Sequence, residues 1–307
     1  MQHLLISLLS GMLVAGTPLI YAALGELIAE RSGVLNLGVE GMMLLGAVTA
    51  FGVASSGYPP LLAAIAAMSA GATAAAVFAV LALSLAVNQY AAGLALTILG
   101  SGLSGLIGRH FGSGSVTSIA RLHLPVLSDL PVIGPVLFNQ DPMVYLALII
   151  TAAAWWFLQR TRPGLVVRAV GEAPHSALAL GHPVIRIRYM TTVFGGAMAG
   201  LGGAYLSLAY TPLWVEDMTA GRGWIALALV VFASWRPGRL ILGAWLFGGI
   251  SVVQLFAQGF GVQLPSELLS ALPYLTTIVV LVAISRNPNT LRLNTPLSLA
   301  QPFRPER

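Results

Sequence analysis

Apolar residues occur along this chain in long blocks, which short polar or Gly- and Pro-rich segments separate. Most blocks are about 20 residues long, the length that an α-helix needs to cross the hydrocarbon core of a bilayer. Because a backbone in lipid must satisfy its own hydrogen bonds, we expect each block to be helical. The predicted spans are 4–24, 40–56, 61–86, 91–108, 143–159, 190–210, 223–235, 239–258 and 272–285.

The seventh block, 223–235, is shorter than a full crossing, so we expect it to be tilted, broken or extended into its flanks. Nine spans are therefore predicted, and eight to ten are compatible with the pattern. The predicted fold is an all-α integral membrane protein with one transmembrane domain over 1–285. Residues 286–307 form a cytoplasmic tail that has Pro and Arg without apolar periodicity, and we expect this tail to be disordered.

The composition supports a membrane protein rather than a soluble one. Of the 307 residues, 57% are hydrophobic and 8% are charged, with a mean hydropathy of +0.86, whereas soluble domains have about 25% charged residues. So little charge cannot cover a globular surface. The N-terminal block lacks a basic region and a convincing cleavage site, so we interpret it as a retained first span and not as a signal peptide.

The basic residues predict the orientation of the chain. All fifteen are Arg, and most of them lie in 160–189, in 235–239 and in the tail. Basic residues mark the cytoplasmic loops of membrane proteins, and alternating spans place these three regions on one side. We therefore expect the N-terminus outside and segment 25–39 inside. The sequence has no Cys, which excludes disulfides and thiol chemistry.

A polar segment, GELIAERSGVLNLGVEGMMLLG (25–46), interrupts the apolar pattern near the N-terminus. It places three carboxylates, Glu26, Glu30 and Glu40, between two predicted spans. Charged groups are costly inside a bilayer. The segment is therefore either a loop at the water interface or part of a transport path.

The loop between the fifth and sixth blocks carries the strongest mechanistic signal. Pro163-Gly164 indicates a turn, Pro174 suits a helix start and Gly181 suits a helix end. The run His175–Leu180 is predicted to be a short helix, with Glu172 in the first turn, where a carboxylate interacts favourably with the helix dipole. Such a helix suits docking onto a soluble partner. An amphipathic helix that rests on lipid headgroups is the alternative.

Small residues recur at helical spacing in the sixth block, at Gly196, Gly200 and Gly203. Small residues at this spacing let helix backbones approach closely, so helix packing is the leading interpretation. The alternative is that these glycines line a substrate path.

Neutral polar residues at the predicted membrane depth are few, and the spans contain no Asp, Glu, Lys or His chain that would suit an ion-coupled carrier. A path lined by amides and hydroxyls suits a neutral, hydrogen-bonding solute. Helix–helix hydrogen bonds are the alternative role for each residue. The substrate-path candidates, chosen by polarity and depth, are Asn36, Asn88, Gln89, Thr97, Ser101 and Gln254.

Two motifs resemble those of the permeases of simple-sugar and nucleoside ABC importers, within the wider branched-chain amino acid and ribose-type permease family. The first is GELIAERSGVLNLGVEGMMLLGA, and the second is AVGEAPHSALALGHPVIRIRYMTTVFGGAMAGLGGAYLSL, residues 169–208. Together they cover about a fifth of the chain. The resemblance implies a ribose-type importer fold, a multi-pass protein of the bacterial inner membrane, and alternating access.

The resemblance also implies partners and a coupling site. A second, longer permease, an ATPase with two nucleotide-binding halves and a periplasmic or lipid-anchored binding protein would complete the importer. ATP and magnesium would bind the ATPase, so no cofactor is expected on this chain. At Ala173 and at His182-Pro183 the sequence departs from the family pattern. The residues of the implied coupling helix are Gly171, Glu172, Ala173, Pro174, His175, Ala177 and Gly181.

Three classes of function compete at this point. The leading one is a non-catalytic importer permease for a nucleoside, with a pentose-type sugar or a riboflavin-like compound as alternative solutes. The second is a stand-alone secondary carrier, which would need no ATPase. The third is a membrane-embedded enzyme, but the five His residues show neither metal-ligand spacing nor a nucleophile–base pair.

Overall fold

The computed structural model describes residues 2–111, 114–123, 125, 127–128, 130–131, 133–259, 266–285 and 294–304. Throughout these residues the protein is helical and has no β-strand. Helices α3 and α9 each continue into a π-helical turn, Val80–Ser84 and Leu206–Tyr210. The α-helices are α1 (Gln2–Arg31), α2 (Val39–Ser55), α3 (Pro60–Ala79), α4 (Gln89–Gly108), α5 (Ile133–Leu137), α6 (Pro142–Arg160), α7 (Arg162–Glu172), α8 (Pro174–Ala179), α9 (Val184–Tyr205), α10 (Arg222–Phe232), α11 (Pro237–Gly259) and α12 (Ser266–Ser285).

Within the described part of the chain, six helical segments are long and apolar enough to cross a membrane: His3–Arg31, Pro60–Ser84, Gln89–Phe111, Pro142–Arg160, Val184–Tyr210 and Pro237–Gly259. Three shorter apolar helices occupy Val39–Ser55, Arg222–Phe232 and Ala271–Val280. All nine coincide with the predicted blocks. Helix α10 has 11 residues and is about 16 Å long, so the prediction that the seventh block does not make a full crossing by itself is confirmed.

Helix α9 lies at the centre of the bundle and packs against α1, α2 and α3. Its glycines meet the backbones of these neighbours. A Cβ atom added at Gly200 would lie 2.2 Å from the carbonyl oxygen of Ala67, and one added at Gly203 would lie 1.9 Å from that of Met43. Gly196 is similarly close to α3. The glycines with G-x-x-x-G spacing therefore lie where helix backbones come closest together.

Helix α1 is longer than predicted. The first span was expected to end at residue 24, but the helix continues to Arg31 and is about 45 Å long at 1.5 Å per residue. Glu26 and Glu30 consequently lie in its last turns and are 1% exposed. Two of the three carboxylates of the polar segment 25–46 therefore belong to α1, and the polar contacts described below offset their burial.

Helix α7 was not predicted. We interpreted Pro163-Gly164 as a turn, but these residues form the first turn of the helix instead. The Thr161 hydroxyl accepts a hydrogen bond from the Gly164 amide at 3.1 Å, and the proline occupies the start of the helix, where it has no amide to leave unpaired. The interpretation as a turn was wrong because Thr followed two residues later by Pro is a helix start signal.

The prediction that the tail is disordered is wrong for residues 294–304. The Ser298 amide donates to the Gly171 carbonyl at 3.0 Å, and the Arg188 guanidinium donates to the Ser298 hydroxyl at 2.9 Å. Phe303 is 8% exposed and packs with an apolar cluster at α7, α8 and α9. These contacts fold this part of the tail onto the bundle; residues 286–293 and 305–307 lie outside the described part.

Gly200→Ala is expected to destabilise the bundle, since its methyl group would overlap the Ala67 carbonyl and force α9 away from α3. Overpacking of this kind costs about 1–3 kcal/mol. The measurement is thermal unfolding of the purified protein in detergent. Gly102→Ala, at a helical position with open space around it, is the matched control and should not lower the melting temperature. Equal melting temperatures for the two variants would contradict the backbone contact.

Phe303→Ala is expected to release the tail from the apolar cluster at α7, α8 and α9, because removal of a buried aromatic ring costs about 3 kcal/mol. Limited digestion with proteinase K, which has broad specificity, measures this release through cleavage within residues 294–304. Leu297→Ala, at a tail position that is 72% exposed, is the control and should leave the cleavage rate unchanged. Cleavage at the same rate in both variants would show that Phe303 does not hold the tail.

Candidate functional site

The carboxylate of Glu40 holds the N-terminus of α10. It accepts hydrogen bonds from the Thr219 hydroxyl at 2.6 Å, the Gly221 amide at 2.8 Å and the Gly223 amide at 2.5 Å. The first amides of a helix have no partner within the helix, and a carboxylate there also interacts favourably with the helix dipole. Glu40 therefore fixes the position at which the short helix begins inside the bundle.

The Glu26 carboxylate secures the loop between α1 and α2. It accepts a hydrogen bond from the backbone amide of Asn36 at 2.8 Å. The Asn36 side chain is 1% exposed and makes local bonds, accepting from the Gly38 amide at 2.9 Å and donating to the Met42 sulfur at 3.4 Å. The structure thus places Asn36 in a buried turn.

Glu30 and Arg31 hold the connection between α10 and α11. The Trp235 indole donates to Glu30 at 2.6 Å, while Arg31 donates to the Trp235 carbonyl at 2.9 Å and to the Asn294 carbonyl at 3.0 Å. Trp235 has a positive φ of 54°, a strained conformation for a residue with a side chain. The two contacts from α1 keep this tight connection in place.

One face of α4 carries three of the predicted substrate-path residues, Gln89, Thr97 and Ser101. This face lies against the loop that contains a fourth, Asn36. Gln89 is 3% exposed and accepts from the Leu35 amide at 2.9 Å, and Thr97 donates to the Leu37 carbonyl at 2.9 Å. Both therefore face the loop that contains Asn36. One turn further along the helix, the Ser101 hydroxyl donates to the carboxylate of Asp217 at 2.8 Å.

The other two predicted path residues lie elsewhere. Asn88 is exposed and caps α4, where its side-chain oxygen accepts from the amides of Tyr90 and Ala91 at 2.9 and 3.2 Å. Gln254 is partly buried in α11, whose main neighbours are α1, α6, α10 and α12. The structure therefore groups Gln89, Thr97 and Ser101 and leaves Asn88 and Gln254 apart from them.

Three buried polar atoms on or beside this face have no hydrogen-bond partner among the described residues: Gln89 Nε2, Ser104 Oγ and Trp214 Nε1. Buried polar groups are almost always paired in native proteins. The Trp214 ring packs directly over Gly108, at the far end of α4. Gln89 and Ser104 lie about 22 Å apart along α4 at 1.5 Å per residue. The helix therefore offers an amide N–H near its start, and a hydroxyl and an indole N–H towards its end, to a neutral polar solute. Sequence analysis did not identify Trp214, because its position beside α4 depends on the fold.

The predicted coupling segment contains α8, which lies against the ends of α7 and α9. Ala177 is buried with Val170, Val184 and Phe303. Pro174 occupies the first turn of α8, as predicted, and Gly181 follows the helix with φ of +84° and open space around it. A glycine after a helix end commonly adopts this left-handed conformation.

Glu172 does not lie in the first turn of α8. It is instead the last residue of α7 and is exposed, with its carboxylate accepting from the Leu297 amide at 3.4 Å. The N-cap of α8 is Ala173, which lacks a capping side chain. Gly171 lies against the end of α1, where an added Cβ would be 2.2 Å from the Arg31 carbonyl.

The outward face of α8 and the turn after it are exposed. His175 and Ser176 are exposed, and two leucines, Leu178 and Leu180, are 38% and 79% exposed. The His175 ring lies 5.0 Å from that of Phe303. The segment thus combines a buried side that binds it to the bundle with an open side that carries apolar groups.

Comparison with known proteins gives the family. Residues 8–281 match the model of the family described as "Branched-chain amino acid transport system / permease component". The permease protein TsgC13 of Haloferax volcanii is 41% identical over 97% of this chain and 98% of its own length. The guanosine ABC transporter permease protein NupQ of Bacillus subtilis is 33% identical, and the nucleoside ABC transporter permease protein NupC of Lactococcus lactis is 32% identical.

The match to NupQ covers 88% of this chain and 89% of NupQ, and the match to NupC covers 89% and 90%. The resemblance that we found in two motifs therefore extends over nearly the whole chain. With six span-length helices in its described part, the chain belongs to the permease component family of branched-chain amino acid transport systems and is a multi-pass membrane protein.

Proposed function

We propose that this chain is the membrane subunit of an ATP-driven importer that translocates a nucleoside by alternating access. The observation that carries the proposal is full-length similarity to NupC and NupQ, which are named as nucleoside and guanosine ABC permeases. The buried neutral groups on α4, with Gln89 and Ser104 among them, suit a solute that hydrogen-bonds without net charge.

A simple sugar is the second candidate solute. TsgC13, at 41% identity, has a name that assigns it provisionally to glucose transport, and the fructose import permease protein FruG of Bifidobacterium longum is 25% identical. Sugars and nucleosides share hydroxyl groups but differ in the aromatic base. A base would stack on an aromatic side chain such as Trp214, whereas a sugar would use the hydroxyl and amide groups alone.

We propose a heterodimer with a second, longer permease. In Bacillus subtilis, both NupQ and NupP are named as guanosine permeases, and both resemble this chain, at 33% and 25% identity. The matched region covers 89% of NupQ but 70% of NupP, so this chain has the proportions of the shorter protein. A separate ATPase, with ATP and magnesium bound to it, and a substrate-binding protein would complete the importer.

The segment Gly171–Gly181 is proposed to couple ATP hydrolysis to transport. Its open side presents Leu178 and Leu180 to a soluble partner, and its buried side contacts α1, α7 and α9. Closure of the ATPase would therefore displace helices that reach the centre of the bundle. Nine membrane-crossing helices with the N-terminus outside, as the Arg distribution predicts, would place this segment in the cytoplasm.

The importer proposal predicts substrate-stimulated ATP hydrolysis. The test reconstitutes the complex with its genomic neighbours in nanodiscs and titrates it with binding protein and a panel of nucleosides and sugars. Stimulation by guanosine or another nucleoside, and not by glucose or ribose, is expected. Stimulation by sugars alone would show that the transported solute is a sugar and not a nucleoside. Transport by this chain alone, with no ATPase co-purifying, would instead establish the secondary carrier.

Leu180→Glu is expected to weaken ATPase docking by at least about tenfold. The apolar side chain that the ATPase would cover in the complex is replaced by an unpaired charge. The measurement is the amount of ATPase that co-purifies with the permease. Gln301→Glu adds the same charge at an exposed position of the tail and is the matched control. If both variants retained the ATPase equally, the open side of α8 would not be the docking surface.

A further inference from the structure

A cavity of about 710 Å³ lies where the ends of α1, α6, α7 and α11 meet. Its lining is unusually basic for a chain with 15 basic residues in 307. Four of the lining residues are Arg, and Glu172 is the one carboxylate among them. The lining residues are Arg31, Trp155, Gln159, Arg168, Glu172, Arg236, Pro237, Gly238, Arg239 and Asn294.

Within the described part of the chain, the positive charge of this cavity is not matched by bound carboxylates. Arg31 donates to backbone carbonyls, and the ion pair that the described residues contain, Arg109–Glu216, lies elsewhere. Arg168 Nε is buried and has no hydrogen-bond partner among the described residues. Like charges held close together repel one another, so the arrangement favours an anion between them.

The N-terminus of the 23-residue helix α11 adds to this preference. Pro237, Gly238 and Arg239 form its first turn and line the cavity. Pro237 has no amide and the Arg239 amide donates to the Arg236 carbonyl at 3.1 Å, so of these three residues Gly238 has the amide that can face a ligand. This amide and the positive end of the helix dipole favour a phosphate-type anion at such a position. Guanidinium groups match phosphate oxygens in a two-point geometry. The cavity, its positive charge and the helix N-terminus therefore all favour a phosphate-type anion.

The cavity also reaches from the end of α6 into the apolar part of that helix. Trp155 lines it and is 48% exposed, and it lies about 7.5 Å before the end of α6 at 1.5 Å per residue. The neighbouring Trp156 is 59% exposed and Ile149 is 63% exposed, as expected of a lipid-facing surface. A ligand in this position would have a phosphate headgroup beside the Arg residues and an apolar chain along α6.

We propose that this cavity binds the phosphate group of an anionic lipid, with Arg168, Arg236 and Arg239 as ligands beside the first turn of α11. A free phosphate anion shares this chemistry but lacks the apolar chain that the exposed Trp155 would contact. Basic cavities between helix ends on the cytoplasmic side are known lipid headgroup sites in membrane proteins. The site does not depend on which solute the chain transports.

Native mass spectrometry of the purified permease complex tests the proposal, with phosphatidylglycerol, phosphatidylcholine or inorganic phosphate as the added probe. The complex is expected to retain phosphatidylglycerol in preference to phosphatidylcholine. The Arg236→Gln/Arg239→Gln variant should lower its apparent affinity for phosphatidylglycerol about tenfold to thirtyfold. The Arg162→Gln/Arg186→Gln variant removes the same charge from two exposed positions outside the cavity and should bind the lipid as the native protein does.

Melting temperatures measured without added lipid establish that the variants fold. Arg168→Gln removes one proposed phosphate contact by itself and should also lower the affinity for phosphatidylglycerol. Equal binding of the two lipids, or an equal loss of binding in both double variants, would overturn the proposal. Displacement of the lipid by millimolar inorganic phosphate would identify a free-anion site instead. Binding to the isolated permease that disappears when the ATPase is present would assign the Arg residues to a protein contact.

Discussion

The approach of α9 to the backbones of α1, α2 and α3 is the constraint on which the rest of the structure depends. In lipid, no hydrophobic force distinguishes helix–helix from helix–lipid contact, so association relies on dispersion and polar contacts at short distance. In the 18-residue apolar window of α9 and its π turn, 78% of the residues are buried, whereas the corresponding windows of the other five span-length helices have 33% to 44% of their residues buried. The glycines along α9 permit this central position, since any side chain at Gly200 or Gly203 would separate the backbones.

Polar contacts also hold the helices together, and the carboxylates of segment 25–46 supply several of them. Two of the three join elements that are distant in sequence: Glu40 binds the start of α10, and Glu30 binds the connection after that helix. Helix α10 has 11 residues and does not make a full crossing by itself. Residues of α2 and α1 hold it at its start and just after its end. A charge that is costly in a bilayer is tolerated here because it replaces the missing partners of helix ends.

The positions of the helices could be predicted from the sequence because hydropathy and helix length act locally. The start of α7 was also locally encoded, in Thr161 and Pro163, although we interpreted these residues as a turn. The partners of Glu40 were beyond prediction, since the Thr219 hydroxyl lies 179 residues away and no local pattern links the two. The same holds for Phe303, whose burial depends on a cluster formed by three other segments. For the substrate path, polarity identified Gln89 and Thr97 on the right helix face, but depth alone could not separate them from Asn88, which caps the same helix.

In the proposed importer, the contacts around α8 would carry a displacement of this helix towards the proposed substrate path on α4. Ala177 joins α8 to α7 and α9, and Gly171, near the end of α7, lies directly against the Arg31 carbonyl. Arg31 in turn holds the Trp235 carbonyl, and α10, which precedes it, begins at Glu40 beside the α4 face. Each link is a close contact between packed elements, and the links connect α8 with the surroundings of α4. Contiguous packed contacts of this kind can carry energetic coupling between distant sites. A movement transmitted through Arg31 would therefore act directly on the connection after α10, the short helix that Glu40 and Glu30 hold at its two ends.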